Sequence, residues 1–138
     1  MLAAQQIDTP KSAILISRCL LGVPCRYHGR KTTRWGSPIG RPKLVERLRR
    51  KYVLISVCPE VDAGLPVPRP PTRIIDGKWM CQGVDVTECF IKGAQIACDK
   101  ARAHNCSKAI LLRGSPACDR DGMAGRMLLE MGVEVRNI

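Results

Sequence analysis

With 138 residues and no run of eighteen apolar positions, the chain is long enough for a core of its own and carries no membrane-spanning segment. A formal net charge of +11, from 23 Lys and Arg against 12 Asp and Glu, favours anionic partners, nucleic acid or nucleotide phosphate first. Eight cysteines without a Cys-x-x-Cys count against zinc ribbons and thioredoxin-type motifs, and the few aromatics (two Trp, two Tyr, one Phe) count against a base-stacking platform.

Residues 1–11 are polar, lack the apolar stretch of a secretory signal and read as a flexible tail, so a cytoplasmic location is expected. In a reducing compartment, cysteines point to metal binding or catalysis rather than disulfides. Residues 12–138 read as one domain. The apolar run Ala13–Ser17 ends at Cys19 and is turned by Gly22 and Pro24, the pattern of a buried parallel strand. Arg26 to Gly40 is a basic loop carrying Trp35. Pro42 suits the first position of a short helix whose Leu44, Val45 and Leu48 form one apolar stripe. Ten of the Lys and Arg residues lie between Arg26 and Lys51 against the single acid Glu46. That stretch is either a solvated face or a surface for a polyanion.

A second buried strand, about Tyr52–Val57, runs into Cys58-Pro59-Glu60. Gly64 to Pro71 is too rich in proline for a helix or an inner strand and reads as a rigid segment lining a site. Thr72 to Val84 suits a hairpin turning at Asp76-Gly77. Thr87 is the expected N-cap of the longest helix, to about His104, with Phe90, Ala94, Ala97, Cys98 and Ala101 facing the sheet. Gly93 either weakens that helix or lets it pack closely. A third buried strand, about Lys108–Leu112, leads to Ser115-Pro116-Ala117-Cys118. Ala124, Met127, Leu128 and Met131 mark a last helix ending at Gly132, followed by a short edge strand at Val133–Val135.

This order defines an α/β fold: a single small Rossmann-like domain with a parallel sheet, strand order 2-1-3-4, and helices on its faces. The switch point of such a sheet lies at the carboxyl end of strand one, where Cys19, Cys58 and Cys118 converge. Three thiolates there can hold zinc, with His28 or Glu60 as a fourth ligand, or an iron–sulfur cluster with one iron left open. Cys58 can alternatively be a nucleophile, although no His–carboxylate pair is identifiable to orient it, and buried cysteines can also simply pack. Glu60 is placed to activate water or to form an ion pair; Ser115 is placed to hydrogen-bond a substrate or to cap a turn.

Ser17-Arg-Cys19-Leu-Leu-Gly22-Val-Pro-Cys25-Arg-Tyr27, Cys58-Pro-Glu60, Gly64-Leu-Pro66-Val-Pro68-Arg-Pro70-Pro71, Val86-Thr87 and Ser115-Pro116-Ala-Cys118 together resemble the motifs of the 2-thiouracil desulfidase family, in order across most of residues 13–135. The resemblance implies a [4Fe-4S] cluster on Cys19, Cys58 and Cys118, whose open iron binds the sulfur of a thiolated pyrimidine while water replaces that sulfur without net redox chemistry. It also implies Glu60 and Ser115 as catalytic residues. The chain departs from the family at Ala117 and Asp119, where Ser and Gly are usual, at His28, where Asp is usual, and in the short segment after Cys118. An open, basic mouth would admit a thiolated nucleotide or thiouridine within tRNA as well as a free base. Cys25, close to Cys19, reads as packing first, with a reserve ligand or a redox-sensitive neighbour as alternatives, and Cys81, Cys89, Cys98 and Cys106 read as structural. The competing expectations are a basic RNA-binding module with a structural metal and a zinc hydrolase.

Overall fold

The computed structural model describes residues 10–138, so the tail expected over 1–11 lies outside the described residues except for Pro10 and Lys11. The first half comprises β1 (Ser12–Ser17), a 3₁₀ turn (Arg18–Leu21), α1 (Pro42–Lys51), β2 (Tyr52–Val57) and the single-turn α2 (Pro59–Asp62). Three short strands follow: β3 (Arg73–Ile75), β4 (Lys78–Cys81) and β5 (Val84–Asp85). The chain closes with α3 (Thr87–Ala103), β6 (Lys108–Leu111), α4 (Met123–Glu130) and β7 (Glu134–Asn137). No helix of the described residues is long and apolar enough to cross a membrane.

The main sheet is parallel throughout, in the order β2-β1-β6-β7, which is the expected 2-1-3-4 arrangement. Its central strand is apolar on both faces, as a sheet covered by helices on each side requires. Leu15 points into a core shared with Phe90, Ala94, Ala97, Leu111 and Leu128 beneath α3 and α4. Ile14 and Ile16 point the other way, toward Val45 and Leu48 of α1. The alternation of strand side chains thus feeds two cores from one tripeptide.

Three expectations need correction. β2 lies at the edge, as the order 2-1-3-4 places it, but is not the buried strand its apolar run suggests: Val57 is its one buried residue and Val53 is 48% exposed. α3 is not capped by Thr87, which is its first residue; the Asp85 carboxylate accepts from both the Thr87 N–H (2.9 Å) and the Thr87 hydroxyl (2.6 Å). The insertion is a three-stranded antiparallel sheet rather than one hairpin, because a second turn at Gln82-Gly83 repeats the consecutive positive φ angles of Asp76-Gly77.

Candidate active site

β1, β2 and β6 point their carboxyl ends at a cavity of about 300 Å³ whose lining includes Cys19, Cys25, Cys58 and Cys118, together with Glu60 and Ser115. Every cysteine and both polar residues expected at the site are therefore brought together. Each arrives by a different local device. Cys19 sits in the 3₁₀ turn that β1 enters directly, and the turn is closed by Gly22, whose N–H donates to the Cys19 carbonyl at 3.0 Å. Cys58 precedes Pro59, which starts α2 and aims Glu60 back toward the cavity. α3 packs against this turn so closely that a Cβ on Gly93 would lie 2.2 Å from the Pro59 carbonyl oxygen. Gly93 is there for close approach.

Cys118 lies at the end of a tight turn. The Ser115 hydroxyl accepts from the Ala117 N–H at 3.1 Å and the Cys118 N–H at 3.0 Å, so it does cap the turn. The indole N–H of Trp79, on β4, donates to the Pro116 carbonyl at 2.7 Å, and Asn137 Nδ2 donates to the Cys118 carbonyl at 3.2 Å. The antiparallel insertion and the last strand thus brace the third cysteine from opposite sides.

The electrostatics separate the thiols. Cys25 hydrogen-bonds Cys19 and holds its thiol below the ordinary value despite burial, while the same bond pushes Cys25 up to about 11. The hydrogen bond to Cys25, and then burial, raise the Cys58 thiol. Burial pushes Cys118 up to about 12, opposed by hydrogen bonds from the Ser17 and Ser115 hydroxyls. Cys19 is accordingly the first of the group to ionise. Glu60 is paired with Arg69, whose guanidinium is only 6% exposed and also donates to the Cys25 carbonyl at 3.2 Å.

Sequence reasoning missed four members of this assembly. Asp62 accepts from Arg18 (2.8 and 3.2 Å), from Lys100 (3.4 Å) and from the Cys58 N–H (3.2 Å), tying the ends of β1 and β2 to α3. Ser17 is 1% exposed, accepts from the Leu112 N–H at 2.9 Å and reaches Cys118. Arg18 and Arg69 were visible only as neighbours of motif residues, and no spacing rule marks such partners in advance. Cys25, read chiefly as packing with a reserve ligand or redox-sensitive neighbour as alternatives, is buried beside Cys19 and lines the cavity as a fourth thiol.

The zinc alternatives are not formed. His28 is absent from the cavity lining; its Nδ1 accepts from the Arg30 N–H at 2.9 Å. Glu60 is engaged by Arg69, and among the described residues no three His, Cys, Asp or Glu side chains are set to hold a single metal ion.

The fold is a parallel α/β sheet that brings a thiol from each of three strand ends to one cavity at its switch point, a donor set of the kind soft metals take. The pattern of the 2-thiouracil desulfurase family matches residues 14–135, and the chain belongs to that family. An uncharacterized protein of Bacillus subtilis (strain 168), YbbK, is 31% identical over 116 residues, which span 76% of this chain and 72% of the relative. Among solved structures, the [4Fe-4S]-dependent thiouracil desulfidase TudS superposes with a TM-score of 0.77 at 29% identity, covering 92% of this chain and 91% of its own.

Proposed function

We propose that this protein is a [4Fe-4S]-dependent desulfidase of thiolated pyrimidines, with Cys19, Cys58 and Cys118 as cluster ligands and Glu60 and Ser115 as catalytic residues. The observation that carries the reading is the convergence of three strand-end thiols and a carboxylate on one cavity. Family membership supports it, as does the likeness to a solved desulfidase named for the same cluster. The donor set is all sulfur, and its members are not gathered around a single ion. That suits a polynuclear centre in which each thiolate sits on its own iron. When bound, such a cluster supplies one iron free of cysteine, a Lewis-acidic place for the substrate's sulfur.

The remaining work falls to the chain. A cavity of about 300 Å³ is at the small end of ligand sites, and since it would house the cluster as well, the room left favours a small planar substrate group. Glu60 takes a proton from the water that attacks the ring carbon, and Arg69 fixes the direction of its carboxylate. Ser115 spends its oxygen lone pairs on two amides, which leaves its O–H to donate toward the ring or toward Cys118. The water's oxygen ends on carbon and the sulfur departs as sulfide, so no electrons are exchanged. All eight cysteines are free thiols, which suits a reducing, cytoplasmic setting.

The test is anaerobic reconstitution followed by iron and sulfide analysis and a sulfide-release assay over thiouracil, thiouridine nucleotide and thiolated tRNA. About four irons per chain and release from at least one substrate are expected; fewer than about three irons would overturn the reading. Cys58→Ser should lose both the cluster's visible absorbance and the release. A second reading, an RNA-binding module with a structural metal, is favoured by the basic stretch Arg26–Lys51 and predicts RNA binding with no sulfide released from any substrate.

A further inference from the structure

One surface is unused by the desulfidase chemistry. Between Gly29 and Gly40 the chain forms a closed loop, held by Thr33 N–H to the Ser37 carbonyl (2.7 Å), Gly36 N–H to the Thr33 carbonyl (3.0 Å) and Ile39 N–H to the Lys31 carbonyl (3.1 Å). Its base is fixed because Ile39 is buried and Gly40 sits so near Gly22 that a Cβ would come within 2.7 Å of the Gly22 nitrogen. At its tip Trp35 is 82% exposed, with the Arg34 guanidinium stacked 5.2 Å from its ring centroid. A tryptophan displayed on a tethered loop serves no core.

The loop leads into α1, whose apolar stripe is already spent. Val45 and Leu48 pack beneath β1, so the outward face carries charge alone and offers a bilayer nothing to insert. Lys43, Arg47 and Lys51 are exposed at successive i, i+4 positions, about 6 Å of rise apart. Among the described residues none of the three pairs with a carboxylate, and Glu46, the one acid on the helix, is taken by Arg50 at 3.1 Å. A row of cations on a helix, entered from a loop that displays an aromatic ring, matches a ligand with phosphates at regular steps and flat, unstacked bases.

We propose that the 31–40 loop and the outer face of α1 bind a single-stranded polynucleotide segment, with Trp35 stacking on a base and Lys43, Arg47 and Lys51 following the backbone. The chain that carries this surface also walls the cavity a few residues earlier, at Arg26 and Tyr27. Presentation of a thiouridine to the cavity rests on the desulfidase reading; the binding itself does not.

The test uses the full chain and unmodified fluorescent oligouridylate and oligothymidylate, titrated between about 50 and 200 mM salt. Binding of either oligonucleotide with quenching of tryptophan fluorescence is expected, and because Trp79 is 3% exposed the quench reports Trp35. Trp35→Ala should weaken binding about tenfold and leave the salt slope intact. Lys43→Ala/Arg47→Ala/Lys51→Ala should lower that slope by about 2. All variants should release sulfide from free thiouracil as the wild type does. Absence of binding, indifference to Trp35→Ala, or equal binding to vesicles of anionic phospholipid would overturn the proposal. Intact oligonucleotide binding without sulfide release from any substrate would overturn the desulfidase reading instead and leave this one standing.

Discussion

Asp62 does not itself line the cavity, yet through Arg18 and the Cys58 N–H it holds two cysteine turns. Burial opposes its ionisation, but the Arg18 hydrogen bonds, the Cys58 N–H and the charges of Arg18 and Lys100 outweigh that and hold the carboxyl below its ordinary value of 3.8. A depressed carboxylate stabilises the fold above its unfolded pKa and loses that contribution as pH falls through the folded value. Urea midpoints should therefore drop below about pH 4, and Asp62→Asn should flatten that part of the curve while costing about 1–2 kcal/mol at neutral pH. Glu60 separates chemistry from assembly. Glu60→Gln should keep the iron content of the wild type and lower sulfide release by about 10²–10⁴, the range for a lost proton-transfer group. Iron loss in that variant would show that the carboxylate holds the site together rather than moving a proton.

At the scale of elements, the site is set by two close approaches. Gly93→Ala gains about 1 kcal/mol of helix propensity but drives a methyl into the Pro59 carbonyl, so α3 must withdraw from α2. A net loss of stability by denaturant unfolding is expected, with sulfide release falling further because Glu60 moves with Pro59. Trp79→Phe keeps the ring beside Phe90 and removes the donor to Pro116. A cost of about 1 kcal/mol is expected, with weaker iron retention on dilution as the Cys118 turn loosens. The long elements were legible because their patterns are local: β1 and β6 as apolar runs, α3 as a helical stripe with Gly93 inside it. α2 was not, since four residues after a proline carry no periodicity, and β2 was misjudged because an edge strand can be as apolar as an inner one. The Asp85–Thr87 contact escaped because Thr87, two residues on, fits the rule for a cap.

Across the whole molecule, the strand order decides what meets. Placing β1 between β2 and β6 brings residues as distant in sequence as Cys19 and Cys118 to one rim, and that convergence could be read in advance from three apolar runs each ending in cysteine. The partners behind the rim could not: an ion pair was one expectation for Glu60, but nothing local names Arg69 as its partner or joins Arg18 to Asp62, since both are partnerships of the folded state. Family membership and the overall architecture follow from motifs; the wiring between motifs follows only from coordinates. If the cluster binds the folded chain alone, removing iron with a chelator should lower the melting temperature and make it depend on reconstitution.

Cys19, Cys58 and Cys118 ride on the ends of the main sheet, whereas part of the surrounding wall comes from two detours: Arg26 and Tyr27 from the loop before α1, and Pro71, Thr72 and Arg73 from the chain entering the antiparallel insertion. Selectivity can therefore be altered in one of these stretches without touching the thiols. Exchanging residues 26–39 for those of a relative should change which molecules are accepted at unaltered iron content, whereas exchanging residues 71–85 should also loosen the metallocentre unless Trp79 is kept.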